Sequence, residues 1–549
     1  MRTRISRRFS FHLLLAIAML IAMTLGSGAL ASGALAAPSA PSGSGQGLVV
    51  ATDEGLVQGM SAEGADQFLG IPYAAPPVGA LRWQAPQPAP RWQGIRQATS
   101  YGSQCAQLAN GNGPQTYDED CLTANVYTPP GAAPAGRLPV LFMINGGGLD
   151  TGSGDQYDGS LIATTDHIIV VSFNYRLGPL GFLDVPGLGT TAQTADGNYG
   201  LLDDEAALRW VQRNIAAFGG DPAKVTIDGE SAGGWSVCAL LASPPARGLF
   251  RAAIMQSGSC SSQSPAAAQA AGLELATLAG CPNPLAAAAC LRALPVATLL
   301  TANAELLDTD PTAPYNSFTY GGPELPEADA TAVATGNYDR VPLLMGTNHN
   351  EGRTFSEGFA DLTEPEADAL VTAIYGAQAP AILARYPWSS YPSPYTAAYM
   401  IGDILTDSGF VTGVGGCPEQ ALASQFAATT RTYFYQFDDL NAPGLNDDYP
   451  GYQWGAGHAM ELAYLWPSFN NGYSLYDLLT PAQLELSQQM IRYWGAFVAT
   501  GRPEVASQPA WPQYAGSGQL MSLRPGEQTT TISTATFEDE HQCSFWNAG

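Results

Sequence analysis

The chain has 549 residues, 46% hydrophobic and 13% charged, the balance of a globular protein rather than a disordered one. Its net charge is −26, and residues 1–36 hold four arginines and no acid, so the remainder stands near −30. A surface that acidic repels nucleic acid and anionic lipid and excludes both as natural partners.

Residues 1–36 read as a signal peptide. Arg2, Arg4, Arg7 and Arg8 come first, then an apolar stretch from 11 to 25, then small residues ending in Ala34-Leu35-Ala36. The apolar stretch is short for a membrane span, so cleavage and export are expected, with a secreted, extracellular or periplasmic product. Ser6-Arg7-Arg8 carries part of the twin-arginine pattern, but Ser10 stands where that pattern has Phe, which leaves the route open. Residues 37–46 are a flexible leader, and 47–549 form the folded unit. No later run approaches membrane-spanning length. Eight cysteines in an exported chain favour disulfides, though counting alone allows on the order of a hundred pairings.

The first strands expected are small ones, over 48–59 and 67–74. After Arg137 the pattern turns to alternating strands and helices. Residues 138–144 and 167–173 are continuous apolar strands. Residues 203–218 form a helix, with Ala207, Trp210, Val211, Ile215 and Phe218 at steps of three and four and Gly219-Gly220 as its stop. A short strand over 225–227, then 251–255, 341–345 and 432–437, follow in order, and 481–500 is a closing amphipathic helix. The alternation predicts an α/β fold: a central, mostly parallel sheet covered by helices on both faces, with a small antiparallel sheet at the N-terminal end.

Ser231 lies in Gly229-Glu230-Ser231-Ala232-Gly233, between the apolar run Val225–Ile227 and a helical run. A G-x-S-x-G segment at a strand-to-helix turn pushes its serine hydroxyl out of the sheet, and its glycines let strand and helix cross closely. Such a hydroxyl attacks a carbonyl only if a base takes its proton. Past the signal peptide the histidines are His167, His349, His458 and His541. His167 heads a strand upstream, His541 sits by Cys543 near the terminus, and His349 shares a short loop with an acid. His458, in the small-residue loop Gly455-Ala456-Gly457-His458, is the best-placed base. Glu351, following the strand at 341–345, falls between nucleophile and base in the order Ser, acid, His, although a solvated loop glutamate reads the same way. Glu230 is the rival acid; beside the serine its side chain is expected to point away, as a buried structural group. Asn145-Gly146-Gly147-Gly148 follows the strand at 138–144. Gly147, Gly148 and Ala232 are the expected N–H donors to an oxyanion, the last at a helix N-terminus. No metal or organic cofactor is implied.

Together these segments resemble the type-B carboxylesterase family, which includes the cholinesterases and some fungal lipases. The likeness extends over most of 47–549. It also rests on Phe68-Leu69-Gly70-Ile71-Pro72-Tyr73-Ala74, Glu119-Asp120-Cys121-Leu122, Asn174-Tyr175-Arg176, Gly197-Asn198-Tyr199-Gly200-Leu201-Leu202-Asp203, Phe218-Gly219-Gly220-Asp221-Pro222 and Gln256-Ser257-Gly258-Ser259. The resemblance implies an α/β-hydrolase fold, a Ser231–Glu351–His458 triad, an acyl-enzyme route and a small-molecule ester substrate. It also implies the bridges Cys105–Cys121, Cys281–Cys290 and Cys417–Cys543. Cys238 and Cys260 are left over, as a fourth bridge or as two buried thiols. Asn145 stands where relatives have His or Tyr, and the segment between Cys105 and Cys121 holds no tryptophan, which argues against a choline ester. A lipase acting on insoluble esters and a non-catalytic binding module are the alternatives, and oligomeric state is open.

Overall fold

The computed structural model describes residues 48–547 apart from 111, 135, 189–196, 310–315, 410, 447–448, 470–473 and 516. The expected signal peptide and leader, 1–46, lie outside the described residues. The strands are β1 Val49–Ala51, β2 Leu56–Gln58, β3 Met60–Ala62, β4 Ala65–Pro72, β5 Ile95–Gln97, β6 Thr123–Thr128, β7 Leu138–Ile144, β8 Ile169–Phe173, β9 Gly220–Glu230, β10 Ala252–Gln256, β11 Ser262–Gln263, β12 Phe318–Thr319, β13 Leu343–Asn348, β14 Thr432–Phe437, β15 Gln519–Leu523 and β16 Thr530–Ser533. Eleven of them make one sheet in the order β16-β15-β14-β13-β10-β9-β7-β8-β6-β4-β3. The seven from β15 to β8 run parallel, and β16, β6, β4 and β3 join antiparallel at the two edges.

The central strands read as unbroken apolar runs because helices cover both their faces. Val140, Phe142 and Ile144 of β7 join one core cluster, while Leu141 and Met143 join a second on the opposite side. The small N-terminal sheet is mixed rather than antiparallel: β1 pairs antiparallel with β2, but β5 pairs parallel to it.

Residues 432–437 and 481–500 fold with the expected bounds, as β14 and the helix Pro481–Thr500. The helix expected over 203–218 starts earlier, as Tyr199–Asn214, and finishes as a 3-10 turn, Ile215–Phe218, against Gly219 at φ 94°. The strand expected over 225–227 begins at Gly220. Its pairing with β7 jumps from Leu138↔Gly220 to Val140↔Val225, so Asp221-Pro222 falls in an irregularity inside the strand. His167 is not in a strand: it is an exposed left-handed cap, φ 54°, on the helix Ser160–Asp166.

All eight cysteines pair, as Cys105–Cys121, Cys238–Cys260, Cys281–Cys290 and Cys417–Cys543. One helical stretch, Glu364–Arg385, is long and apolar enough to cross a membrane by length and composition. It is broken at Gly376, φ 55°, between the helices Glu364–Tyr375 and Ala379–Arg385. The loops that leave the carboxyl ends of β7, β9, β10, β13 and β14 carry every residue singled out from the sequence as reactive, the place where open parallel sheets bind ligands.

Candidate active site

Ser231 terminates β9 and caps the helix Ala232–Ala242 with φ 57° and ψ −123°. A serine in that conformation stores strain on the order of 1–3 kcal/mol, which the surrounding packing must hold. The packing here is backbone against backbone. A Cβ on Gly229 would come within 2.3 Å of the Gly233 carbonyl oxygen, and one on Gly233 within 2.2 Å of the Ile144 carbonyl oxygen. Gly234 and Gly258 meet in the same way, a Cβ on either falling within 2.9 Å of the other's Cα. The Ser231 N–H donates to the Gln256 carbonyl at 2.9 Å, fixing the turn to the end of β10.

The glycine-rich loop after β7 is brought to this turn. A Cβ on Gly146 would lie 3.1 Å from Ser231 Cβ and 2.9 Å from Glu230 Oε2. Gly147 and Gly148 have φ of 105° and 65°, and a Cβ on Gly148 would meet nothing within 4 Å. Asp150 and Thr151 both donate their N–H to the Gly147 carbonyl, at 3.1 and 3.0 Å, closing the loop on itself. Asn145 braces it from within: its Nδ2 donates to the Gly146 carbonyl at 3.0 Å, and its own carbonyl accepts from Tyr175 at 2.8 Å. Ala232 opens the helix behind the serine, where backbone N–H groups and the helix dipole favour negative charge.

Glu351 and His458, 107 residues apart, meet: His458 Nδ1 is 2.6 Å from Glu351 Oε2. Both are buried. The other carboxylate oxygen, Oε1, accepts from Ser257 Oγ at 2.5 Å, Thr347 Oγ1 at 3.2 Å and the Asn348 N–H at 2.6 Å. An acid so held orients an imidazole and stabilises its charged form. The ring's other nitrogen, Nε2, lies 3.3 Å from Glu230 Oε1, the side chain next to Ser231. Glu230 is buried as expected but faces the base, a juxtaposition the sequence did not suggest.

A third carboxylate, Glu461, sits three residues beyond His458, wholly buried and bound to Asn348 Nδ2. These acids set the charge of the site. Burial pulls the imidazole of His458 down, but Glu230 first, then Glu351 and Glu461, more than reverse this and lift it to about 9. Burial in turn raises Glu230 well above the usual carboxylate range, and raises Glu461 to about 7 with the help of Glu351.

Ser257, Thr347, Asn348 and Glu461 went unassigned in the sequence reading. Ser257 belongs to the Gln256–Ser259 segment, and Thr347 and Asn348 lie between the strand expected over 341–345 and Glu351, at the end of β13. The spacing of three between His458 and Glu461 was the one available signal for the last. His349 and His541 lie elsewhere, His349 beside Asp438 and His541 between Asp407 and Gln436. Among the described residues no group of three or more His, Cys, Asp or Glu side chains has the arrangement of a metal site.

Known proteins resemble this chain over most of its length. Residues 46–546 match the model of the carboxylesterase family. Para-nitrobenzyl esterase of Bacillus subtilis (strain 168) is 35% identical over 85% of this chain and 92% of its own. Fumonisin B1 esterase of Sphingopyxis macrogoltabida is 32% identical, over 89% of each. A solved thermophilic PNB esterase superposes with a TM-score of 0.73 at 31% identity, covering 90% of this chain and 99% of that one. With the elbow, the glycine loop and the acid–imidazole pair at one end of an α/β sheet, and with matches of this length, the chain belongs to the carboxylesterase family.

Proposed function

We propose that the protein is an exported serine carboxylesterase. Ser231 Oγ attacks the ester carbonyl while His458 accepts its proton. Glu351 holds the ring from Nδ1, and the N–H groups of Gly147, Gly148 and Ala232 receive the oxyanion. Collapse of the tetrahedral adduct breaks the carbonyl–oxygen bond of the ester. His458 protonates the departing alcohol, leaving an acyl group on Ser231. Water, deprotonated by the same histidine, then releases the acid.

The observation that carries this reading is the placement of His458, with Glu351 at one ring nitrogen and Glu230, the residue before Ser231, at the other. Export is supported by the residue pattern of 1–36 and by four disulfides, which persist in oxidising compartments. The folded unit then runs from 47, after the leader. The relatives named above are esterases by name but differ in what they specify, so the proposal for this chain stops at small carboxylic esters.

Ser231→Ala is expected to lower kcat for 4-nitrophenyl butyrate by roughly 10⁴-fold or more. The wild-type serine, and no other residue, should carry the adduct after treatment with an organophosphate. Turnover by Ser231→Ala within tenfold of wild type would remove the serine from the mechanism. An unlabelled, inactive wild type would favour a binding module.

A further inference from the structure

We propose that Asp150 is a specificity-determining residue: its carboxylate stands at the mouth of the site and discriminates against anionic esters in favour of neutral and cationic ones. The inference rests on the esterase reading above.

Asp150 belongs to the loop that approaches Ser231. Its N–H donates to the Gly147 carbonyl, and such a turn keeps the two Cα atoms within about 7 Å. Between them Leu149 is buried, its carbonyl tied to the Gly178 N–H at 2.7 Å, while Gly148 is exposed with open space around it. The chain thus leaves the serine, passes the open face at Gly148 and reaches the half-buried Asp150.

The carboxylate is locked in place. Oδ1 accepts from Asn303 Nδ2 at 2.8 Å and Asn316 Nδ2 at 3.1 Å, and a Cβ on Gly178 would fall 2.6 Å from it. Amides satisfy a carboxylate but leave its charge in place, and among the described residues Asp150 forms no ion pair. Arg176, two residues from Gly178, is committed to Asp203 at 2.7 and 2.8 Å. Burial raises Asp150 to about 6, against the two amide hydrogen bonds, and at pH 8, where the test below is run, it is ionised. Nor do the other acids of the site bring in a cation from outside: Glu230 and Glu351 share His458.

An anionic acyl or alcohol group entering here loses water beside a fixed like charge. At a separation of about 10 Å and an effective dielectric near 20, two unit charges shift a rate on the order of tenfold. Charges spread over the exposed surface are screened by salt, with a Debye length of about 3 Å at 1 M, whereas a partly buried pair is screened much less. Discrimination that survives 1 M salt is therefore local.

The test uses three 4-nitrophenyl esters of matched size at pH 8 in 1 M salt: the 4-(trimethylammonio)butanoate, the 5,5-dimethylhexanoate and the 4-sulfobutanoate. For wild type, kcat/KM for the sulfonate is expected to fall on the order of tenfold below that for the neutral ester. Asp150→Asn, which keeps the size and an acceptor for the amides, should close that gap to within about threefold. A sulfonate-to-neutral ratio that is equal in wild type and variant overturns the proposal, as does a wild type with no preference at high salt. If the variant does not fold, phosphonates bearing the same three groups are used to label wild-type Ser231, and equal labelling rates overturn it. If no ester is hydrolysed at all, it is the esterase reading that fails.

Discussion

At the scale of single residues, the centre of this site is an imidazole held among carboxylates. His458 works as a base only when deprotonated, so its activity must rise with pH through its pKa and be lost below it. Glu230 is the first of the groups that raise that pKa, and its side chain lies 3.3 Å from Nε2. Glu230→Gln removes the charge and keeps the shape. The acid limb of the kcat/KM profile is therefore expected to move to lower pH, by about one unit for an interaction of about 1.4 kcal/mol. A limb that stays put or moves upward would show that Glu230 is not charged beside the ring. The meeting of Glu351 with His458 was foreshadowed by chain order, which leaves both downstream of Ser231, and by the family resemblance, which singled Glu351 out among the loop acids. The approach of Glu230 to the imidazole was not foreseen, because a sequence shows that two residues are adjacent but not where a strained turn points the first of them.

At the scale of elements, the site depends on how closely a helix can approach a strand. Gly233 lies against the end of β7, where its neighbour is the Ile144 carbonyl rather than a side chain that could move. Gly233→Ala is expected to cost about 3 kcal/mol, at the upper end for overpacking, and to disturb the turn that holds Ser231. Gly131 offers the contrast: φ is 74°, but nothing lies within 4 Å of its Cβ position, so Gly131→Ala should cost only about 1 kcal/mol. Urea unfolding of both variants decides it, and equal midpoints would mean that the crossing tolerates a methyl group. The buried central strands were legible as apolar runs. β6 was not, since Thr123, Asn125 and Thr128 interrupt it with polar residues that are buried in the fold, Asn125 bonded there to Ser172 Oγ at 3.1 Å. Edge strands β15 and β16 were lost for a related reason: β16 is half exposed and polar, and β15 is five residues long.

At the scale of the whole molecule, the last strands and helices are fastened to the sheet by Cys417–Cys543, spanning 126 residues, and by a polar chain beneath it. His541 donates from Nε2 to Gln436 Oε1 at 2.9 Å, and its Nδ1 lies 2.8 Å from Asp407 Oδ1, an acceptor there when the ring is neutral. In the neutral form of the pair Asp407 carries the proton and His541 accepts it in a hydrogen bond. Both shifts agree, since burial raises Asp407 well above the usual carboxylate range and lowers His541 to about 3, with His349 adding to the second. Tyr386 donates to the other oxygen of Asp407 at 2.6 Å, and His349, Asp403, Asp438 and Glu540 are the other charged groups acting on the pair. On unfolding, Asp407 releases its proton at any pH above about 3.9, while His541 takes one up below about 6.5. Between those values the two effects cancel. Above 6.5 only Asp407 counts, and stability falls as pH rises, by at most about 1.4 kcal/mol per unit. Asp407→Asn keeps a donor for His541 Nδ1 and an acceptor for Tyr386 but has no proton to lose. Its melting temperature relative to wild type is therefore expected to climb steadily from pH 4 to pH 8. A difference that is constant or shrinks over that range would mean Asp407 is charged in the fold, and the polar chain under the C-terminal closure would then be an ion pair.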